Sequence, residues 1–434
     1  MDKLLSKIEK YEAEVVVVGM GYVGLPLAME FARAGFHVTG FDRDHEKVKR
    51  LAQGISHVED VPSEIVQAQN RAGRFSVSSE ENVLALADCI VLCVPTPLKK
   101  NQDPDMSCID EGIAAVMRHR HSDLLVVLES TTYPGTTREL IASALAAQGY
   151  QVGTDMFVAF SPERVDPGNA RFQTRNTPKV IGGITSNCTH LTRALYERVV
   201  DRVIAVSSTE AAEMVKLLEN TFRAVNIGFI NEFALICERL GLNVWEIIAA
   251  ASTKPFGFMP FSPGPGLGGH CIPIDPLYLN WKMRSLKMPA RFIELADSVN
   301  SSMPVHVVEK VNDLLNTMKK PMNGSKILIV GVAYKKNIGD VRESPAFEII
   351  LGLQRRGAEV AYVDPWVSSF CEHGLAMHGV DPEAPWSVYD ALVIVTDHER
   401  FDYGRMAREA KGIVDTRNAM APYRDQGGAI IVTL

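Results

Sequence analysis

Over the first part of the chain, short uninterrupted apolar runs alternate with amphipathic stretches. EVVVV at 14–18 leads through a glycine-rich turn into a helical stretch ending near Gly35, and FHVTGFD (36–42), CIVLCVP (89–95), LLVVLES (124–130), MFVAFS (156–161) and KVIGG (179–183) follow as strand candidates. Continuous rather than alternating apolarity predicts strands covered on both faces, as in a parallel sheet with crossover helices. From 208 to about 240 the pattern turns helical and unbroken by proline, with Ser208 or Thr209 to cap it, Glu210 in its first turn and Gly241 to stop it. A helix of that length suits a spine between domains and a subunit contact.

Residues 255–276, PFGFMPFSPGPGLGGHCIPIDP, are too rich in proline and glycine for either element and predict a shaped functional loop. A second alternation then begins with KILIVG (326–331), a helix to Arg356 and Gly357, AEVAYVDP (358–365), ALVIVT (391–396) and GIVDT (412–416). It repeats the strand, turn, helix, glycine, strand and acid of the first unit, but its turn, GVAYKKNIGD, has two lysines and no glycine fingerprint. The expected fold is α/β, with two Rossmann-like doubly wound domains at 1–207 and 311–434. A long-helix, all-α central domain at 208–310 joins them, and the later Rossmann-like domain has dropped dinucleotide binding.

A length of 434 residues, 46% hydrophobic and 22% charged, fits two to three globular domains and excludes disorder, collagen-like repetition and a small disulfide scaffold. The net charge of −7 without a basic run argues against nucleic-acid binding, but not against a phosphorylated small ligand. The charged N-terminus holds no secretory core, and no apolar run approaches the roughly 18–20 residues of a membrane helix. A cytoplasmic protein without a membrane partner is expected. Seven cysteines, with no CxxC pair, fit a reducing compartment, and no metal-ligating pattern is read. Cys89, Cys93, Cys108, Cys188, Cys237 and Cys371 are expected to be small core hydrophobes.

Gly19-Met20-Gly21-Tyr22-Val23-Gly24 is GxGxxG between a strand and a helix, where backbone N–H groups can approach a pyrophosphate. Asp42 closes the second strand, where a carboxylate binds ribose hydroxyls and repels a 2′-phosphate. NAD is therefore favoured over NADP, with the neighbouring Arg43 keeping the second open. Cys271, four residues before Asp275 in the glycine-rich loop, is either a nucleophile or one more buried thiol. Lys216 and Asn220 share a helix face and either hold an oxyanion or face solvent. Glu163, beyond a strand end, is either a catalytic carboxylate or a surface one.

In this order, GMGYVGLP, PTP at 95–97, STTYPGT (130–136), SPERVDPG, K-x-x-x-N at 216–220, GPGLGGHCIPIDP and GVAYKKNIGDVRESPA resemble the nucleotide-sugar 6-dehydrogenases, over roughly residues 14–420. The resemblance implies an NAD domain, a helical dimerisation domain and a UDP-binding domain. It also implies oxidation of a sugar C6 alcohol to a carboxylate by two NAD⁺ and one water. Cys271 then matches the nucleophile, Lys216 and Asn220 the oxyanion holders, Asp275 the carboxylate that orients or activates water, Glu163 a general base and Thr131 a residue near the reacting carbon. Cofactor contacts are implied for Gly19 to Gly24, Asp42, Arg43, Lys47, Pro95, Thr96, Thr131 and Arg342. Substrate contacts are implied for Glu163, Arg164, Val165, Lys216, Asn220, Pro263, Gly264, Gly266, Gly268, Tyr334, Lys335 and Arg417.

UDP-glucose enzymes usually read GGSCFPKD, whereas this chain has His270 for Ser and Ile274 for Lys. Pro167 stands where those enzymes carry a second Glu. Both departures resemble the UDP-N-acetylhexosamine branch, and SPERVDPG with CIPIDP is closer to UDP-N-acetylglucosamine enzymes than to N-acetylmannosamine ones, which tend to read CIAVDP. Pro255 aligns with the family's loop arginine, with Lys254 and Arg291 as candidate replacements. The expected function is four-electron oxidation of UDP-N-acetylglucosamine by a homodimer or larger homo-oligomer, feeding acidic surface polysaccharide such as capsule or O-antigen. Alternatives are UDP-N-acetylmannosamine, UDP-N-acetylgalactosamine or UDP-glucose as substrate, a two-electron β-hydroxyacid dehydrogenase, and a non-catalytic nucleotide sensor.

Overall fold

The computed structural model describes residues 1–99, 101–166, 169 and 171–434, so that Pro167 lies outside the described residues. The chain forms two compact units, Met1–Glu219 with Leu277–Lys287, and Asn220–Pro276 with Met288–Leu434.

The first unit holds strands β1 (Glu14–Val18), β2 (His37–Phe41), β3 (Phe75–Ser78), β4 (Cys89–Leu92), β5 (Leu124–Leu128), β6 (Met156–Phe160), β7 (Lys179–Gly183) and β8 (Val203–Ala205). Their order is β3-β2-β1-β4-β5-β6-β7-β8, the doubly wound dinucleotide order with two strands added. Residues of β1 divide between two cores. Val15 and Val17 join Phe31, Leu195 and Tyr196, and Val16 and Val18 join Ile113, Leu145 and Phe160. Burial on both faces explains why β4, β5 and β6 are apolar at every position. Each fully buried Val, Leu or Phe side chain contributes roughly 1.5–3 kcal/mol.

The expected parallel series is corrected at β7, which runs antiparallel to β6 and pairs Gly182 with Phe160. β8 is parallel to β7. Strands β3 and β8 escaped sequence reading because each is a short edge strand, of four and three residues, with mostly exposed or half-buried positions.

In the second unit, β9 (Lys326–Val330), β10 (Glu359–Val363), β13 (Ala391–Ile394), β14 (Gly412–Asp415) and β15 (Ile430–Thr433) form a parallel sheet in the order β10-β9-β13-β14-β15. A separate hairpin joins β11 (Ser369–Glu372) to β12 (Leu375–His378). The hairpin is largely exposed and β15 largely half-buried, and neither was read from the pattern. The hairpin also corrects one cysteine: Cys371 is exposed on β11, on the solvent side of an alternating strand, and Cys108 is only half-buried.

The second unit also contains helices Val244–Ala251 and Arg291–Thr317. The long helix, Thr209–Leu240, begins in the first unit and ends in the second. The Ser208 hydroxyl caps it by accepting from the Ala211 N–H at 3.1 Å, and Gly241, at φ +68°, ends it. Among the described residues no helix is long and apolar enough to cross a membrane.

Candidate active site

In the first unit, the turn after β1 opens the helix Gly24–Ala34 with no side-chain cap. A Cβ on Gly24 would stand 1.8 Å from the Gly19 carbonyl oxygen, so only glycine allows this turn to close. A Cβ on Gly21 would meet nothing within 4 Å, leaving open space at a helix N-terminus, where an anion is favoured. Asp42, just past β2, accepts from the Met20 N–H and the Lys47 ammonium, both at 2.8 Å, and from the Asp44 N–H at 3.0 Å. Burial opposes its charge, but Lys47 and the two N–H groups outweigh burial and hold its pKa below the usual carboxylate value. This uncapped turn with an ionised acid beside it fits a dinucleotide pyrophosphate and ribose. Arg43 is exposed and paired with Glu111, Tyr22 is exposed, and Val23 is half-buried. Pro95 is exposed and Thr96 buried beyond β4.

Thr131, half-buried, follows β5, and Glu163 follows β6. One Glu163 oxygen accepts from the N–H groups of Arg164 and Val165, both at 2.7 Å, and the other lies 3.4 Å from the Lys179 ammonium. Burial again opposes the charge, while Lys179, the Val165 N–H and Lys216 prevail and keep this carboxyl below its ordinary pKa. The Lys216 ammonium donates to the Glu163 carbonyl at 2.6 Å. The Arg164 guanidinium is engaged by Glu219 and the Pro178 carbonyl, each at 2.6 Å. Lys216 and Asn220 are only 7% and 6% exposed, which removes the reading of a solvated helix face.

Sequence reading missed Glu213, a buried acid on the same helix. It accepts from the N–H of Gly135 at 2.6 Å, and from the N–H and hydroxyl of Thr137 at 2.9 and 2.7 Å. It thereby ties the segment after Thr131 to the helix that carries Lys216. Burial pushes its pKa up to about 7 against those three donors. Its spacing from Lys216 and Asn220, three and seven residues on one helix face, was the available signal.

In the second unit, the Asn220 amide donates to the buried Asp275 carboxylate at 2.5 Å. The Asp275 N–H donates to the Cys271 carbonyl at 2.8 Å, which places the exposed Cys271 one helical turn earlier. The loop ahead of the cysteine is fixed from below. Buried Asn231 accepts from the Gly264 N–H at 2.9 Å and donates to Asn300, which donates to the Ala224 carbonyl. Pro263 is buried, and Gly266 is half-buried at φ +132°.

The same loop packs closely on residues of the second sheet domain. A Cβ on Gly268 would come within 2.7 Å of the Tyr334 Cβ, and one on Gly264 within 2.7 Å of the Arg417 guanidinium. The Gly269 N–H donates to the Arg342 carbonyl at 3.0 Å, and the Arg342 guanidinium binds Asp340. The unit thus brings together the expected Cys-loop glycines, Tyr334, Arg342 and Arg417; Lys335 is half-buried beside Tyr334 in sequence. Asp364, at the place matching Asp42, is fully occupied. It accepts from the N–H groups of Val332, Ala333, Trp366 and Val367 and pairs with buried His398 at 3.0 Å. Asp364 therefore takes five hydrogen-bonding partners, against three at Asp42.

A glycine turn that only glycine can close, followed by an ionised acid after the next strand, is the cofactor grip of NAD-dependent dehydrogenases. The chain belongs to the UDP-glucose/GDP-mannose dehydrogenase family, matching its NAD binding domain over residues 13–200, its central domain over 210–302 and its UDP binding domain over 328–422. It is similar to the NDP-N-acetyl-D-galactosaminuronic acid dehydrogenase of Ralstonia nicotianae, with 35% identity over 94% of this chain and 97% of that one. It is similar to the UDP-N-acetyl-D-glucosamine 6-dehydrogenase of Pseudomonas aeruginosa, with 32% identity over 90% and 92%. The solved UDP-D-ManNAc dehydrogenase of Pyrococcus horikoshii superposes with a TM-score of 0.88 at 32% identity, over 97% of this chain and 98% of that one. The chain is thus an NAD-dependent nucleotide-sugar dehydrogenase, and its UDP binding domain disfavours a two-electron hydroxyacid enzyme.

The two glycines make separable predictions. Gly24→Ala should destabilise the folded domain, since its Cβ would collide with backbone. Gly21→Ala should leave the melting temperature nearly unchanged yet weaken NAD⁺ binding ~10-fold or more, about 1.4 kcal/mol, as measured by calorimetry.

Proposed function

We propose that the protein oxidises UDP-N-acetylglucosamine at C6, from alcohol through aldehyde to carboxylate, with two NAD⁺ and one water. The observation that carries this reading is an exposed thiol, Cys271, one turn ahead of a buried carboxylate, Asp275, that is itself held by Asn220. Bound NAD⁺, held by the Gly19–Gly24 turn and Asp42, supplies a hydride acceptor for each oxidation. The Cys271 thiolate adds to the aldehyde carbon to give a thiohemiacetal, with Lys216 and Asn220 holding the C6 oxygen while it is negative. Loss of hydride leaves a thioester. Glu163 takes a proton from water as its oxygen adds to the thioester carbon, Asp275 orients that water, and the C–S bond breaks to return the thiolate. Thr131 sits near the reacting carbon. One alcohol, two NAD⁺ and one water yield one carboxylate, two NADH and three protons. Covalent capture keeps a reactive aldehyde on the protein between the two oxidations.

The acetylated sugar is supported by buried Ile274 and half-buried His270, which stand where UDP-glucose enzymes have Lys and Ser, and by the names of the three relatives given above, which carry acetylated hexosamines. The glucosamine configuration rests on SPERVDPG with CIPIDP. The product suits acidic surface polysaccharide, and a thiol-dependent reaction fed by nucleotide sugar suits the cytoplasm. A panel of UDP-N-acetylglucosamine, UDP-N-acetylmannosamine, UDP-N-acetylgalactosamine and UDP-glucose, read by NADH absorbance, should give the highest kcat/KM for the first and two NADH per sugar. A higher value for another sugar would reassign the substrate. Cys271→Ser should lose ~100-fold or more of turnover, whereas near wild-type uronate formation would remove the covalent route.

We also propose a homodimer. Phe222, Phe229 and Ile236 recur every seven residues on the long helix and are 46%, 60% and 47% exposed. A second copy of the same stripe would remove this apolar surface from water. Light scattering of a Phe229→Glu, Ile236→Glu double variant should give half the wild-type mass.

A further inference from the structure

The first unit buries a charged cluster that binding NAD does not require. Glu129 stands just past β5, Lys179 begins β7, and Tyr196 ends the helix Ser186–Tyr196; they are 1%, 4% and 0% exposed. The Lys179 ammonium lies 2.7 Å from one Glu129 oxygen, and the Tyr196 hydroxyl donates to the other. On its far side the same ammonium lies 3.4 Å from Glu163. Two carboxylates thus share one ammonium in an apolar interior, where an ion pair alone already costs as much to desolvate as it returns. A structural pair would need only Lys179 and Glu129. The third member, Glu163, is the one that reaches out of the core.

Strand direction explains how the cation arrives there. Parallel strands begin at the edge opposite their carboxyl ends, so a residue opening such a strand could not meet Glu163. Because β7 runs against β6, the register that pairs Gly182 with Phe160 carries Lys179 to the level of Glu163. Besides the three members of the cluster and Glu163 itself, Lys216, Arg164 and Cys93 bear on Glu163 and its partners. The Lys216 ammonium is on its carbonyl, the Arg164 guanidinium is engaged by Glu219, and Tyr196 and the buried Cys93 thiol lie near the Lys179–Glu129 pair.

We propose that Lys179, anchored by Glu129 and Tyr196, is a positioning residue that holds the Glu163 carboxylate charged and aimed for water activation, with Glu129 drawing off part of its charge. The proposal rests on reading Glu163 as the general base. The shifts agree with it. Burial raises Glu129 despite Lys179, whereas Glu163 is held low chiefly by Lys179 against burial. Two carboxylates pushed apart in this way mark a division of roles.

The test is the pH dependence of kcat in the full-length enzyme, with NAD⁺ and the sugar of the panel that is turned over fastest. Without Lys179 the base ionises at higher pH, so Lys179→Met should move the acid limb upward by about one unit and cost about tenfold on that limb, with much less lost at neutral pH. KM values should stay within about twofold, and Lys179→Arg should restore the wild-type limb. Glu129→Gln returns the full charge of Lys179 to Glu163 and should move the limb downward, even if the fold is destabilised. Shifts in opposite directions are something that loss of packing alone would not produce. If Lys179→Met and Glu129→Gln leave the limb in place or shift it together, the proposal is overturned. Should Lys179→Met fail to fold, the downward shift in Glu129→Gln decides. Glu163→Gln is the separate control: if it keeps the acid limb, the reading of Glu163 as base fails, whatever Lys179 does.

Discussion

Parallel pairing sends the carboxyl ends of neighbouring strands to one edge of a sheet, and almost everything that could act in the first unit follows from that constraint. The glycine turn leaves β1, Asp42 leaves β2, Pro95 and Thr96 lie beyond β4, Thr131 beyond β5 and Glu163 beyond β6. Between β1 and β4 the chain switches winding direction, and the crevice left there is where α/β sheets take ligands. The second sheet obeys the same rule, with Tyr334 and Lys335 after β9, His398 after β13 and Arg417 after β14.

The two sheet domains share this geometry but differ in one carboxylate. Asp42 takes two backbone N–H groups and a lysine and sits beside an uncapped helix end. Asp364 takes four backbone N–H groups and a buried histidine, which closes its site. Satisfaction of hydrogen bonds, more than backbone shape, separates the acid beside the cofactor turn from its counterpart in the second sheet. The glycine-rich loop of the second unit depends on a similar accounting. Asn231 and Asn300 hold its backbone from inside, so that its glycines can lie against Tyr334 and Arg417.

Much of this was legible in the chain. The buried strands β1, β4, β5, β6, β9 and β13 announce themselves by apolarity because both faces are covered. The long helix carries its own cap and stop, and the glycine fingerprint needs only local geometry. Edge strands β3, β8 and β15 and the β11–β12 hairpin were not legible, since segments of three or four residues, mostly exposed or half-buried, are too short to stand out even where, as in β8 and β15, they are apolar. Cys371 was misplaced for the same reason, being a thiol on the open side of a hairpin.

The sequence by itself determined the order of elements, the cofactor turn and the identity of the candidate nucleophile, because each depends on residues adjacent in the chain. Only the tertiary structure decided that Lys216 and Asn220 are buried and that Glu213 ties down the segment beyond Thr131. It also decided that Lys179 meets Glu163. That meeting depends on β7 running against β6 in a sheet whose first six strands are parallel. Strand direction is set by long-range pairing, so no local pattern of residues records it.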